Sequence, residues 1–317
     1  MTISAVQLII GLIVLIAGGE ALVRGASNIA LKLKITPLVV GLTVVAFGTS
    51  APELFISMLA ALQGSSDMAM GNVVGSNICN LALVLGLTAL ITPIKVQRST
   101  LRLDWPVTIG SSILLFFIGS YFQVLNMATG LLMVSLLFTY QFYILRKSQK
   151  EQRALAGEEN QSKTPINLRS WLIDGVFIII GIAALTFGAD WFVGGAQTVF
   201  TALGVDERII GIVVLALGTS LPELVTSVVA AYRQNTDLAI GNLLGSNIFN
   251  VLSILGFTSI VANIDISPEL LSYDIPWMLG ITLLLLPMMF MGKSINRLEG
   301  IILLVTYAYY TYTLMPA

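Results

Sequence analysis

Two glutamates stand where a charge is expensive. The chain reads GTSAPE at 48–53 and GTSLPE at 218–223, so Glu53 and Glu223 each follow a proline inside an apolar stretch, Val39 to Ala61 and Ile209 to Ala231. Glu53 falls near the middle of its stretch, where a lone carboxylate in a membrane costs roughly 3 kcal/mol or more. Pro52 and Pro222 have no amide hydrogen and crowd the preceding turn. Each helix should therefore kink and free backbone carbonyls, among them those of Ala46 and Thr49 in one copy and of Ala216 and Thr219 in the other. A freed carbonyl and a buried carboxylate share one remedy, a cation.

The next apolar stretch of each copy supplies GNVVGSNICN (71–80) and GNLLGSNIFN (241–250). Ser76 and Asn80 are four apart and share a helix face, as do Ser246 and Asn250; Asn77 points partly elsewhere and is free to bond backbone. The donor set is two carboxylates and neutral oxygens, with no histidine in the chain and only an incidental Cys79. Such oxygens suit hard cations: calcium takes about six to eight of them, and sodium makes similar demands with less charge. Two glutamates neutralise one divalent ion.

The surrounding chain has the composition of a polytopic membrane protein. Of its residues 56% are hydrophobic and only 10% charged, and its mean hydropathy is +0.91; soluble proteins carry about 25% charged residues. Apolar stretches of about 20 residues or more can be placed around 4–31, 37–63, 68–91, 104–120 and 126–145, then 171–201, 208–232, 238–262, 273–291 and 298–315. The expectation is all-α, with about ten transmembrane helices, since the runs lack the alternation of a membrane barrel. The first run has no basic leader and is too long for a signal peptide, so it reads as a retained helix. If ten helices alternate, all Lys and Arg except Arg24 and Arg208, fourteen of sixteen, fall on one side. By the positive-inside rule that side is cytoplasmic, which places both termini outside and the polar segment 147–169 inside.

Subtracting positions exposes a duplication. Gly218 minus Gly48, Gly241 minus Gly71 and Asp274 minus Asp104 all give 170, and 25 of 56 positions are identical between 41–96 and 211–266. The expected organisation is a first transmembrane repeat at 1–146, a cytoplasmic linker at 147–169 and a second repeat at 170–317. An odd number of helices per repeat turns the second upside down, the arrangement of secondary transporters with a midplane site between the halves.

Each motif has a plainer reading. GTSxPE alone is a helix start at a membrane border, although a second copy at the same depth argues against that. GNxxGSN has the glycines of a phosphate loop but no strand before it, and its glycines also suit close helix packing. Glu20 and Arg24 are spaced for an ion pair on one helix face. Asp190, the repeat partner of Glu20, has no matching base and is left for gating or helix contacts. Asp104 and Asp274 precede Pro106 and Pro276 and read as helix caps.

Together the paired stretches resemble the two α-repeats of the calcium/cation antiporter superfamily, in its sodium/calcium exchanger branch of prokaryotic type. The resemblance covers nearly the whole chain. It implies ten helices, with the second, third, seventh and eighth as a core and the long first and sixth sliding past it. It implies that Glu53 and Glu223 are the central calcium and sodium ligands and that the Thr49 and Thr219 carbonyls complete the calcium site. Ala46, Ser50, Ser76, Ala216, Ser220 and Ser246 would line flanking sodium sites, and Asn80 and Asn250 would face the middle. Some prokaryotic exchangers and the potassium-dependent relatives have aspartate where Asn250 stands, which weakens a claim of potassium dependence.

The expected function is a plasma-membrane antiporter exchanging sodium for calcium by alternating access, with a calcium/proton antiporter, then a cation channel, as alternatives. An enzyme is not expected, for the chain has no HExxH motif and no histidine for a nucleophilic dyad. Nor is a cofactor, a nucleic acid or an obligatory protein partner; the expected partners are calcium, sodium and the lipid bilayer.

Overall fold

The computed structural model describes residues 2–156, 168–203 and 218–314. Ala216, Arg208 and the middle of the 147–169 segment lie outside the described residues. The chain runs through α1 (Thr2–Leu33), the bent pair α2 (Pro37–Thr49) and α3 (Ala51–Leu62), α4 (Ser66–Ile91), α5 (Thr100–Phe122) and α6 (Met127–Ala156). It continues through α7 (Leu168–Ala202), α8 (Leu221–Tyr232), α9 (Thr236–Val261), α10 (Leu270–Gly292) and α11 (Arg297–Leu314). Among the described residues seven helices are long and apolar enough to cross a membrane, and the α2/α3 pair makes an eighth span. Their outward faces carry exposed Ile9, Ile13 and Ile16 on α1 and Ile179 and Ile180 on α7, an apolar surface suited to lipid.

The duplication is visible as repeated contacts. β1 (Ile94–Lys95) pairs antiparallel with β4 (Ser294–Ile295), and β2 (Val124–Leu125) pairs with β3 (Ile264–Asp265). Ile94 faces Ile295 and Leu125 faces Ile264, so a shift of 170 turns one pairing into the other. These ladders were not expected in an all-α chain. Each ties a loop of one repeat to a loop of the other with buried aliphatic side chains. Equivalent stretches also widen to π-helix: Cys79–Val84 in α4 and Asn250–Leu255 in α9, then Thr100–Asp104 in α5 and Leu270–Asp274 in α10. Periodicity alone does not reveal these turns, because an extra residue in one turn leaves the apolar pattern intact. Such bulges recur at functional sites.

The two longest helices, α1 and α7, lie against each other along small residues. A Cβ on Gly11 would sit 2.5 Å from the Phe192 amide nitrogen, and one on Gly181 2.7 Å from that of Leu22, so only glycine permits the approach. Polar contacts fix one end of this pair, where Lys32 bonds Asp174 and Asn28 Nδ2 donates to Asp174 Oδ1 at 2.9 Å. The expected Glu20–Arg24 pair is not formed. Glu20 reaches across to Arg233 at the end of α8, while the Arg24 guanidinium lies over the Phe177 ring at 4.9 Å. Interhelical partners won over the local i,i+4 pair, which is worth only about 0.5 kcal/mol.

Two further expectations are revised. Residues 147–156 continue α6 rather than open a solvated linker, and the Thr36 amide donates to Ser148 Oγ at 2.9 Å. Asp104 and Asp274 do not cap their helices, since both have helical backbone and no capping bond. Tyr140 Oη donates to Asp104 Oδ1 at 2.9 Å, and Tyr310 Oη donates to Asp274 Oδ1 at 2.8 Å.

The glycines of the two GN motifs meet different surroundings. A Cβ on Gly241 would lie 2.4 Å from the Leu38 carbonyl oxygen, and one on Gly245 2.8 Å from Leu42 Cα, whereas Gly71 and Gly75 have nothing within 4 Å. Helix α9 is thus wedged against α2 where α4 faces open space. Gly241→Ala should cost about 1–3 kcal/mol through backbone displacement, while Gly71→Ala should be neutral or gain a few tenths. Thermal unfolding of both variants in ion-free detergent checks this: a lower midpoint is expected for Gly241→Ala alone.

Candidate ion-binding site

The helix break sits where the prolines require it. α2 ends at Thr49, Ser50 falls outside both helices, and α3 starts at Ala51 with Pro52 at its head and Glu53 in its first turn; the axes differ by 47°. In the second repeat α8 starts at Leu221, with Pro222 at its head and Glu223 in the first turn. A helix start presents unpaired amides and positive potential, which favours a carboxylate there. One expected detail is corrected: the Ala46 carbonyl is not freed by the break but accepts the Ser50 amide at 3.0 Å.

The break at Ser50 and the start of α8 meet. Ser50 Oγ donates to Glu223 Oε1 across the repeats at 3.2 Å. Thr49 Oγ1 lies 3.4 Å from Ser246 Oγ and 3.3 Å from Asn242 Oδ1, so α2 and α9 bring two hydroxyls and an amide to one place. Ser220 is buried beside Cys79, and Ser76 and Thr219 line a shared cavity of about 340 Å³. Thr219 also lines a second cavity of about 310 Å³, bounded by Pro52, Pro222, Asp190 and Gly194. Asn80 and Asn250 are fully buried in the matching π-turns of α4 and α9. Asn77, as its helix phase suggests, bonds backbone instead, donating to the Asn247 carbonyl at 3.3 Å.

What these groups lack is partners. Glu53 and Glu223 are both 0% exposed and near enough to repel each other. Among the described residues both Glu53 oxygens and Glu223 Oε2 accept no hydrogen bond, and neither do the side-chain atoms of Asn80, Asn250 and the Ser220 hydroxyl take part in one. Buried carboxylates left this way cost several times the roughly 1 kcal/mol of an ordinary hydrogen bond. No cluster of three or more His, Cys, Asp or Glu exists among the described residues. Two acids among hydroxyl and amide oxygens fit a hard cation.

The first residue pair of the motifs that sequence reasoning passed over is Asn72 and Asn242. Asn72 Nδ2 donates to Ser57 Oγ at 2.9 Å and to the Glu53 carbonyl at 3.4 Å; Asn242 Nδ2 donates to Ser227 Oγ at 3.0 Å and to the Glu223 carbonyl at 3.4 Å. Each asparagine thereby clamps the first turn carrying its glutamate. The signal was present, since Asn72, Ser57 and Glu53 all recur at an offset of 170.

Glu53→Gln and Glu223→Gln should fold and melt no lower than the parent in ion-free detergent, because each removes an uncompensated buried charge at nearly constant volume. Calcium should raise the parent's melting midpoint and leave both variants unmoved. A clearly lower midpoint without ions would show instead that the carboxylates have partners within the fold.

Known proteins resemble this chain in sequence and fold. The family described as sodium/calcium exchanger protein matches residues 3–146 and 174–315. A relative named CaxA from Alkalimonas amylolytica is 38% identical across 100% of both chains. The sodium/calcium exchanger MaX1 of Methanosarcina acetivorans is 33% identical over 97% of each, and the inner membrane protein YrbG of Escherichia coli is 31% identical over 90% of this chain and 88% of its own. Among solved structures, the sodium-calcium exchanger NCX_Mj soaked with zero Na+ and Ca2+ superposes with a TM-score of 0.85 at 30% identity, covering 99% of this chain and 100% of that one. The chain is a multi-pass membrane protein, and it belongs to the sodium/calcium exchanger family.

Proposed function

We propose that this protein is a secondary antiporter that exchanges sodium for calcium across the plasma membrane by alternating access. The observation that carries the reading is the pair of fully buried glutamates, each in the first turn of its helix, with three of their four carboxylate oxygens unpartnered among the described residues. Calcium and sodium compete for these oxygens, so the two ions bind in alternation. An empty site leaves two bare charges in the interior, a penalty of several kcal/mol that opposes crossing without cargo. Mutual exclusion and a forbidden empty crossing are the two conditions for antiport.

In this reading the chain has ten spans in two inverted halves, 1–146 and 170–317, with both termini outside and 147–169 in the cytoplasm. Glu53 and Glu223 are the central ligands, Thr49 and Thr219 contribute carbonyls to calcium, and the four serines, Ser50, Ser76, Ser220 and Ser246, serve sodium with Ala46 and Ala216. Asn80 and Asn250 face the middle. The open space beside Gly71 and Gly75, set against the tight seat of Gly241 and Gly245 on α2, supports a state open on the face where α4 begins. The positive-inside assignment makes that the outer face.

Reconstituted vesicles test the coupling. Calcium uptake should follow an imposed sodium gradient at constant pH and clamped potential; uptake that follows a pH gradient and ignores sodium would establish the proton antiporter. A proton carrier needs only the acids, whereas sodium needs the neutral oxygens too. Ser76→Ala and Ser246→Ala should therefore weaken sodium dependence more than calcium binding, read as a larger rise in half-saturating sodium than in half-saturating calcium. For topology, single cysteines at Ser162 and Ser65 in a Cys79→Ala background should label from opposite sides, Ser162 from the cytoplasm. Labelling of both from outside intact cells would overturn the inverted arrangement.

A further inference from the structure

Asp104 and Asp274 are left without a task once capping is removed. Both sit at the end of the π-turn that opens their helix, and both are held by a tyrosine 36 residues downstream through one carboxylate oxygen. Asparagine would accept the same tyrosine bond without a charge to desolvate. The charge, kept in both copies of the repeat, therefore has a use other than the bond.

Their surroundings differ as the two glycine motifs do. Asp274 is partly exposed and lines the cavity of about 340 Å³ that also reaches Ser76 and Thr219. It is the single charged residue among those lining that cavity, whose wall otherwise offers Asn72, tyrosines, threonines and aliphatic groups. Asp104 is 2% exposed, its Oδ2 has no partner among the described residues, and it borders a space of only about 30 Å³ near Lys147. An acid at the wall of a cavity with low-dielectric sides concentrates the field and raises the local cation concentration.

We propose that Asp274, oriented by Tyr310, is a collecting site where calcium and sodium gather before reaching Glu53 and Glu223, and that Asp104, oriented by Tyr140, is its counterpart on the opposite face, closed in this structure. The inference rests on the antiport reading. The two sites serve in turn: opening of the second face exposes Asp104 as closure of the first covers Asp274. The unpartnered Oδ2 of Asp104 is then a cost of the closed state that opening relieves. Each is a positioning residue for cargo on its way in rather than a ligand of the central site.

Vesicles with the protein oriented one way, verified by the cysteine labelling above, separate the possibilities. With calcium presented on the Asp274 face at low ionic strength, Asp274→Asn should raise half-saturating calcium about threefold to tenfold with little change in maximal rate. The difference should shrink as inert salt screens the charge. Asp104→Asn should leave that face alone and produce the same shift when calcium is presented on the other. Thr311→Lys, which sets a cation in the same cavity wall, should mimic Asp274→Asn with the aspartate intact, and it serves if the first variant fails to assemble. An unchanged half-saturation at low salt, or an equal change on both faces, would overturn the inference. So would a loss confined to Tyr310→Phe, since that outcome marks a structural bond only. Parent vesicles that exchange no calcium would fail the antiport reading itself.

Discussion

Every part of this molecule accommodates two negative charges in a place that opposes them. Glu53 and Glu223 are fully buried, and a continuous helix at either position would surround its carboxylate with aliphatic side chains and bonded carbonyls. Breaking the helix just before the acid changes that. The break turns a helix start toward the charge and leaves Ser50 or Ser220 at the junction. It also needs support, because an interrupted span no longer holds its own backbone. The Asn72 and Asn242 clamps provide it, each joining the turn that carries a glutamate to a serine one turn further along the same helix.

The surrounding elements follow from that need. Helices α4 and α9 carry the clamps and are the most buried spans, α9 completely so over an 18-residue stretch. The glycines of α9 let it approach α2 so closely that no side chain fits at Gly241 or Gly245, whereas Gly71 and Gly75 of α4 face open space. The two-residue ladders join loops of opposite repeats, and the repeats also meet centrally, where α9 seats on α2 and Ser50 reaches Glu223.

Much of this was legible in the sequence, for physical reasons. Spans announced themselves by apolar length, the helix breaks by proline beside glutamate, and the duplication by simple subtraction. The gathering of Ser50, Thr49, Ser246 and Glu223 follows once two identical motifs are taken to face each other. What stayed hidden depends on geometry finer than residue type. A π-turn leaves no mark on an apolar run, and a tyrosine 36 residues away is invisible from Asp104. The Glu20–Arg24 spacing favoured the wrong partner because an i,i+4 rule describes an isolated helix, and Arg233 comes within reach only in the folded bundle. The carbonyl of Ala46 shows the opposite error, a group expected to be free that a nearby amide had already found.

The Glu20–Arg233 contact carries a consequence for the symmetry of the repeats. Shifted by 170, its members become Asp190 and Gln63, so the duplicate pair keeps the acid and loses the base. Asp190 instead borders the open cavity beside Pro52 and Pro222. The pair fastens α1 to the end of α8, and the equivalent position in the other repeat offers only the Gln63 amide. An exposed pair of this kind is worth about 1 kcal/mol or less. The duplication is thus incomplete at this point, since Arg233 has only the uncharged Gln63 as its counterpart.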